Sequence, residues 1–165
     1  MIAHTAARLF LLRHAHSAWA EPGGRDHGRA LDERGERDAA ELGRLLKKRG
    51  IVFDRIACST ALRARQTLDA LDLAPSPEAI IFFYDLYALG PEAYWQAVRQ
   101  ADACRGLLIV GHNPTIETFA LTLTSDEPQP LEGGFPTCGL AIFEVPGRLD
   151  ACAPGTARFL EAVWP

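Results

Sequence analysis

The sequence predicts an α/β fold, a three-layer α/β/α sandwich around a mainly parallel sheet. Three observations carry this. Short apolar runs of strand length alternate with helix-periodic segments along the chain, several helix signals come with recognisable caps and stops, and no internal repeat breaks the pattern. At 165 residues, the chain is long enough to bury a real core and reads as one domain over 1–165. Its composition, 48% hydrophobic and 23% charged, is that of an ordinary globular protein.

The run Arg8 to Leu12 is apolar and ends abruptly at Arg13 and His14, which predicts a buried strand. Glu21-Pro22-Gly23-Gly24 is a loop signal. Asp32 is placed to cap a helix over about 33–49, where Ala39, Leu42, Leu45 and Leu46 recur at helical spacing and Gly50 supplies a stop. A second strand is predicted over Arg55 to Cys58. Ser59 or Thr60 would cap the helix that follows it, to about Asp72. Ile80 to Tyr84 reads as a third strand, and Glu92 to Ala103 as a helix with Pro91 in its first turn. Leu107 to Val110 is a strongly apolar fourth strand. Asn113, as a cap, and Pro114, at the first helical position, open a helix to about Leu123. Thr124 to Pro136, rich in Pro, Gly and acids, predicts a long loop, and Leu140 to Val145 and Arg158 to Val163 are the last two strands.

Bulk charge excludes some partners. A net charge of −4 and a pI near 5.7 point to neither nucleic acid nor an anionic membrane, so any anion site must be local. No stretch has the length of a membrane span, and the apolar run Leu9 to Leu12 is too short for a secretory signal. The expected location is the cytoplasm. Cys58, Cys104, Cys138 and Cys152 form no CxxC pair and no zinc-finger spacing. Cys58 and Cys138 sit in apolar runs as small buried hydrophobes, and a domain of this size does not need disulfides.

Ligands of open α/β sheets bind beyond the carboxyl ends of the strands. After the first strand come Arg13, His14 and His16; after the second, Arg63 and Arg65; after the fourth, Gly111 and His112. Singly, each is more commonly a solvated cation or a structural histidine. Together they are separate segments delivering cations and imidazoles to one edge. Arg63 in a first helical turn opposes the macrodipole by a few tenths of a kcal/mol, roughly, unless an anion sits there. An imidazole nucleophile also needs its second nitrogen to donate to a fixed acceptor.

The run Leu11-Leu12-Arg13-His14-Ala15-His16-Ser17 resembles the histidine phosphatase superfamily, which includes the phosphoglycerate mutases. Arg29-Ala30-Leu31-Asp32-Glu33-Arg34-Gly35 is similar to its Arg-x-Leu-Thr-x-x-Gly segment, with Asp32 for the usual Thr. Ser59 to Thr67 resembles its Ser-Pro-x-x-Arg-Ala-x-Gln-Thr segment, and Val110-Gly111-His112-Asn113-Pro114 its second histidine motif. The motifs occur in family order from Leu9 to about Val145. Length, Ser17, Trp19 and Phe135-Pro136-Thr137 bring the chain nearest the SixA-type phosphohistidine phosphatases, although His16 stands where these often carry Lys and Ala30 where they often carry Pro.

The resemblance implies a single histidine phosphatase domain of phosphoglycerate mutase-like fold. His14 would become phosphorylated, Arg13 and Arg63 would hold the phosphoryl oxygens, and a protonated His112 would add charge. Ser17, Arg29 and Asn113 would complete the substrate contacts. No cofactor and no metal are implied, and the carboxylates are scattered along the sequence. Asp26 and Asp85 are the candidate general acids, each with a solvated loop carboxylate as the plainer reading. The implied substrate is a phosphohistidine-bearing protein. A small phosphate ester or sugar phosphate is the alternative, and a catalytically silent phosphoprotein-binding adaptor is the alternative of another class. Arg25, His27 and Arg29 are a solvated basic loop or a partner site. Trp19, Tyr87 and Trp95 are packing or rim aromatics.

Overall fold

The computed structural model describes residues 6–125 and 133–165. Its centre follows from two apolar runs. Strand β1 (Ala7–Arg13) lies between β4 (Gly106–Gly111), parallel to it, and β5 (Leu140–Val145), antiparallel to it. A strand buried on both faces has no use for alternation, hence the unbroken Leu9 to Leu12 and Leu107 to Val110. The whole order is β3-β2-β4-β1-β5-β6, with β2 (Arg55–Ser59), β3 (Ile80–Phe83) and β6 (Arg158–Val163) outside the central trio. Strands β3, β2, β4 and β1 are mutually parallel, while β5 opposes β1 and β6 opposes β5. The mainly parallel sheet predicted above is therefore present, with one reversed strand.

Strand periodicity of two sends Leu9, Leu11 and Ile109 to one face and Phe10, Leu12, Leu108 and Val110 to the other. The first face is covered by α4 (Pro91–Arg99) and α5 (Thr115–Leu123), the second by α1 (Glu33–Lys48) and α2 (Leu62–Ala70). These are the three predicted layers. Gly43 lets α1 approach α2, since a Cβ there would lie 2.1 Å from the Leu71 carbonyl oxygen.

Several boundaries differ from expectation. A short helix α3 (Asp85–Ala88) follows β3. Helix α4 ends at Arg99 rather than near Ala103, which has a left-handed φ of 58°. Neither Ser59 nor Thr60 caps α2: Ala61 holds that position without a side-chain bond, the Ser59 hydroxyl meets His112 and the Thr60 hydroxyl meets His27. Asn113 does not cap α5 either, because Pro114 is the flanking residue and the Asn113 amide is used elsewhere. Asp32 does cap α1, accepting from Gly35 N at 2.9 Å. Residues 126–132 of the predicted long loop lie outside the described residues. The four cysteines are free thiols. Among the described residues no helix is long and apolar enough to cross a membrane.

Candidate active site

The carboxyl ends of β1 and β4 lie side by side, with Arg13 opposite Gly111. His14 is held there by its backbone N–H, which donates to Gly111 O at 3.0 Å. Gly111 has no side chain for a reason: the Tyr94 hydroxyl sits 2.0 Å from where a Cβ would be, and it accepts from His112 N at 3.0 Å. Arg63 reaches the same point from the first turn of α2 and is only 7% exposed. His14, Arg63 and His112, together with Arg13, Arg29, Ser17 and Asn113, line a cleft of about 460 Å³.

The imidazole of His14 is set up in one tautomer. Its Nδ1 lies 2.7 Å from Ala15 O, and a carbonyl can only accept, so Nδ1 carries the hydrogen and Nε2 carries the lone pair. Burial, with the charges of Arg63, Arg13 and Arg29 beside it, lowers its pKa to about 4 despite the opposing bond to Ala15, so the ring is neutral at neutral pH. Arg63 Nε–H points at that lone pair from 3.3 Å. Its Nη1 donates to Asp26 O at 2.8 Å and its Nη2 to Asp26 Oδ2 at 3.1 Å. Arg13 donates through Nη1 to Phe135 O at 2.6 Å, and its buried Nε has no partner among the described residues.

His112 Nε2 lies 2.7 Å from Ser59 Oγ, and its ring centroid is 5.1 Å from that of His14. Burial first, then His14 and Arg63, push its pKa down to about 3. The protonated His112 expected from the sequence is thus corrected for the free protein: the ring is neutral. Asn113 donates to Glu117 Oε2 at 2.9 Å and to Phe135 O at 3.3 Å, and Glu117 also raises the proton affinity of Arg13 against the larger effect of burial.

Around the rim, Asp26 opens a short 3-10 turn and gathers three donors: Arg29 Nη1 at 3.0 Å, Arg63 Nη2 and the Tyr87 hydroxyl at 3.1 Å. Burial alone would raise its pKa, but the bond from Arg29 and the charge of Arg63 outweigh it and hold the group near 2. Asp26 is a carboxylate, with no proton to give at neutral pH. Asp85 is exposed at the start of α3 and does not line the cleft. Arg29 also donates to Ala18 O and to Ser17 Oγ, and its guanidinium stacks 5.6 Å from the centroid of Trp19, which is 89% exposed. His27 bonds Thr60 Oγ1 and meets the Tyr87 ring edge-on, so of the basic loop only Arg25 is plainly solvated. Arg65 points away, over Phe82, and Trp95 is buried against Phe119 in the core. His16, also on the cleft, bonds through Nδ1 to Asp32 Oδ2.

Residues 9–81 match the model of the histidine phosphatase superfamily (branch 1). An uncharacterized protein of Mycobacterium tuberculosis is 36% identical over 157 residues, spanning 90% of this chain and 96% of its own length. A crystal structure from Agrobacterium tumefaciens, provisionally assigned as the phosphohistidine phosphatase SixA, is 32% identical, superposes with a TM-score of 0.83, and is matched over 96% of this chain and 99% of that one. A structure from Nakamurella, also provisionally assigned as SixA, is 27% identical with a TM-score of 0.84, over 98% of this chain and 97% of that one. The chain belongs to the histidine phosphatase superfamily. Its fold is SixA-like, and its activity class is that of a phosphatase.

The superfamily segment around Arg63 also has structural duties. Thr67 Oγ1 accepts from Ala15 N at 2.9 Å and donates to Arg63 O at 2.7 Å, and Gln66 Oε1 accepts from Leu31 N at 2.8 Å. These two side chains bolt the nucleophile loop and the Arg29 segment to the helix that carries Arg63. Ser59, Tyr94, Thr67 and Thr137 of the cleft or its support were not read as site residues from the sequence. Ser59 and Thr67 fall within a segment matched to the family, and that match was the available signal.

Proposed function

We propose that this protein removes phosphoryl groups from protein phosphohistidine through a phosphohistidine intermediate on His14. The observation that carries the reading is the His14 tautomer: Nδ1 is spent on Ala15 O, and the Nε2 lone pair faces Arg63 in the cleft. In the free state Arg63 Nε–H covers that lone pair. A bound phosphoryl oxygen is a stronger acceptor for a charged donor, so substrate takes the Nε–H and uncovers the nucleophile. The guanidinium groups of Arg13, Arg63 and Arg29 supply the positive charge that phosphoryl transfer asks for. The dianion raises the proton affinity of His112 beside it, which then contributes a further charge.

Attack by His14 Nε2 on phosphorus forms the P–N bond and breaks the bond to the substrate imidazole, which leaves with a proton already on its other nitrogen. Water then attacks, phosphate departs, and the lone pair returns to His14. The substrate class rests on Asp26 and Asp85. The first is held ionised and the second lies outside the cleft, so among the described residues an alkoxide leaving group finds no carboxylic acid to protonate it. A phosphoramidate needs none. The SixA assignments of the two solved structures point the same way.

Phosphate release from a phosphohistidine-bearing protein, compared with a panel of small phosphate esters, tests this. The expected result is a strong preference for the protein in wild type, unaffected by a metal chelator, and a loss on the order of 10³-fold or more in His14→Ala. Strong preference for one metabolite ester overturns the substrate reading. Inertness towards every donor leaves the phosphoprotein-binding adaptor.

A further inference from the structure

One histidine lining the cleft, His16, is paired with a carboxylate and is left unused by these steps. Its side chain is 42% exposed, whereas His14 is buried at 8%. His16 Nδ1 donates to Asp32 Oδ2 at 2.5 Å, and the other oxygen of the same carboxylate accepts from Gly35 N as the cap of α1. The helix fixes Asp32, and Asp32 fixes the imidazole. Gly35 makes the closeness possible, since a Cβ there would lie 2.0 Å from His16 O. An Nδ1–H committed to a carboxylate sets the tautomer and leaves Nε2 as the basic edge of the ring, available to the cleft. Both partners depart from the patterns the chain resembles, His16 from the Lys often carried by SixA-type relatives and Asp32 from the usual Thr of the superfamily segment, and the two replacements meet in one hydrogen bond.

Hydrolysis of a phosphorylated His14 needs a group to take a proton from the attacking water. Asp26 is poorly suited, because both its oxygens are engaged by Arg29, Arg63 and Tyr87 and its pKa near 2 makes it a weak base. His14 bears the phosphoryl group, His112 is the ring that the phosphoryl charge protonates, and His27 is bonded through Nε2 to Thr60 Oγ1. In-line displacement brings water from the side opposite His14 Nε2. For a buried nucleophile that side is the open mouth of the cleft, and His16 is the more exposed of the two histidines.

We propose that His16 is the general base that activates water for hydrolysis of phosphorylated His14, with Asp32 as its positioning residue. This rests on His14 being the phosphorylated group. The lone pair of His16 Nε2 takes one proton from water as the O–P bond forms. The P–N bond breaks with its electron pair returning to His14 Nε2, and the His16 imidazolium, stabilised by Asp32, releases its proton to solvent after phosphate leaves.

Rapid-quench kinetics with p-nitrophenyl phosphate separates the two half-reactions, because nitrophenolate leaves without needing a proton. In His16→Ala, and in His16→Gln should the first fold poorly, formation of the phosphoenzyme is expected to keep its rate. Its breakdown should slow on the order of 10²–10⁴-fold, giving a near-stoichiometric burst and accumulated phosphoenzyme. Asp32→Asn keeps a capping oxygen, so its thermal midpoint should hold while breakdown slows by about 10-fold or more. Unchanged breakdown, or formation and breakdown slowed alike, overturns the role of His16 and leaves His14 standing. No phosphoenzyme in wild type or variants overturns both.

Discussion

At the carboxyl end of the sheet, the cleft of about 460 Å³ is lined by Arg13, Arg29 and Arg63. At the amino end, a cavity of about 310 Å³ is lined by Arg8, Arg49 and Arg105, over Phe10. Charge and size are comparable; surroundings are not. Arg63 is buried and its donors converge on a histidine lone pair and on Asp26. Arg49 is 39% exposed and gives its Nη1 to both oxygens of Glu161 at 3.0 Å, while Arg8 is exposed. Buried polar side chains tell the same story: His14, Ser59, Arg63, Thr67 and His112 all belong to the carboxyl end or its support. A group of arginines becomes a site where burial strengthens its field and a reactive atom lies in reach.

The sharpest way to break this contrast is to remove the fork of Arg63. Arg63→Lys keeps the charge but loses the paired donors, and kcat/KM is expected to fall about 10²–10³-fold. A loss under tenfold would mean that bulk charge suffices and the two ends differ less than their geometry says.

A middle-sized effect is in pH. His14 and His112 have pKa values of about 4 and about 3 in the folded protein, below the ordinary histidine value, mainly through burial. On acidification the unfolded chain therefore binds protons first. Stability is full above pH ~6.5 and falls as pH drops towards 4 and 3, by up to about 1.4 kcal/mol per pH unit for each group. Urea midpoints at pH 7 and pH 5 measure this, and His112→Gln should flatten the slope; an equal slope in the variant would contradict the burial assigned to His112. The smallest effect is expected at the other end of the sheet. Arg49→Ala should cost under about 1 kcal/mol and leave turnover unchanged.

Much of the site was legible because topology does simple work. Parallel strands send their carboxyl ends to one edge, so Arg13, His14, Arg63 and His112 could be placed together before any side chain was seen. Arg65 was readable too: two residues on from Arg63, it lies about 200° round the helix and cannot share its target. The antiparallel turn from β5 to β6 was also in reach, since Pro146 to Ala157 carries no crossover helix. Other features were out of reach. Whether a hydroxyl caps a helix or serves a histidine depends on what lies across the sheet, as at Ser59. The ionisation of Asp26 depends on Arg29, Arg63 and Tyr87, which only the fold brings within hydrogen-bonding distance. The neutral state of His112 is likewise a matter of depth.

The most direct test of the account is to quench the protein during turnover of a ³²P-labelled phosphoryl donor under alkaline conditions, which preserve phosphohistidine, and to map the label by peptide mass spectrometry. The expected result is one acid-labile phosphoryl group on His14, absent in His14→Ala. Label on another residue, or full turnover in the variant, would contradict a nucleophile held by Ala15 O beneath Arg63.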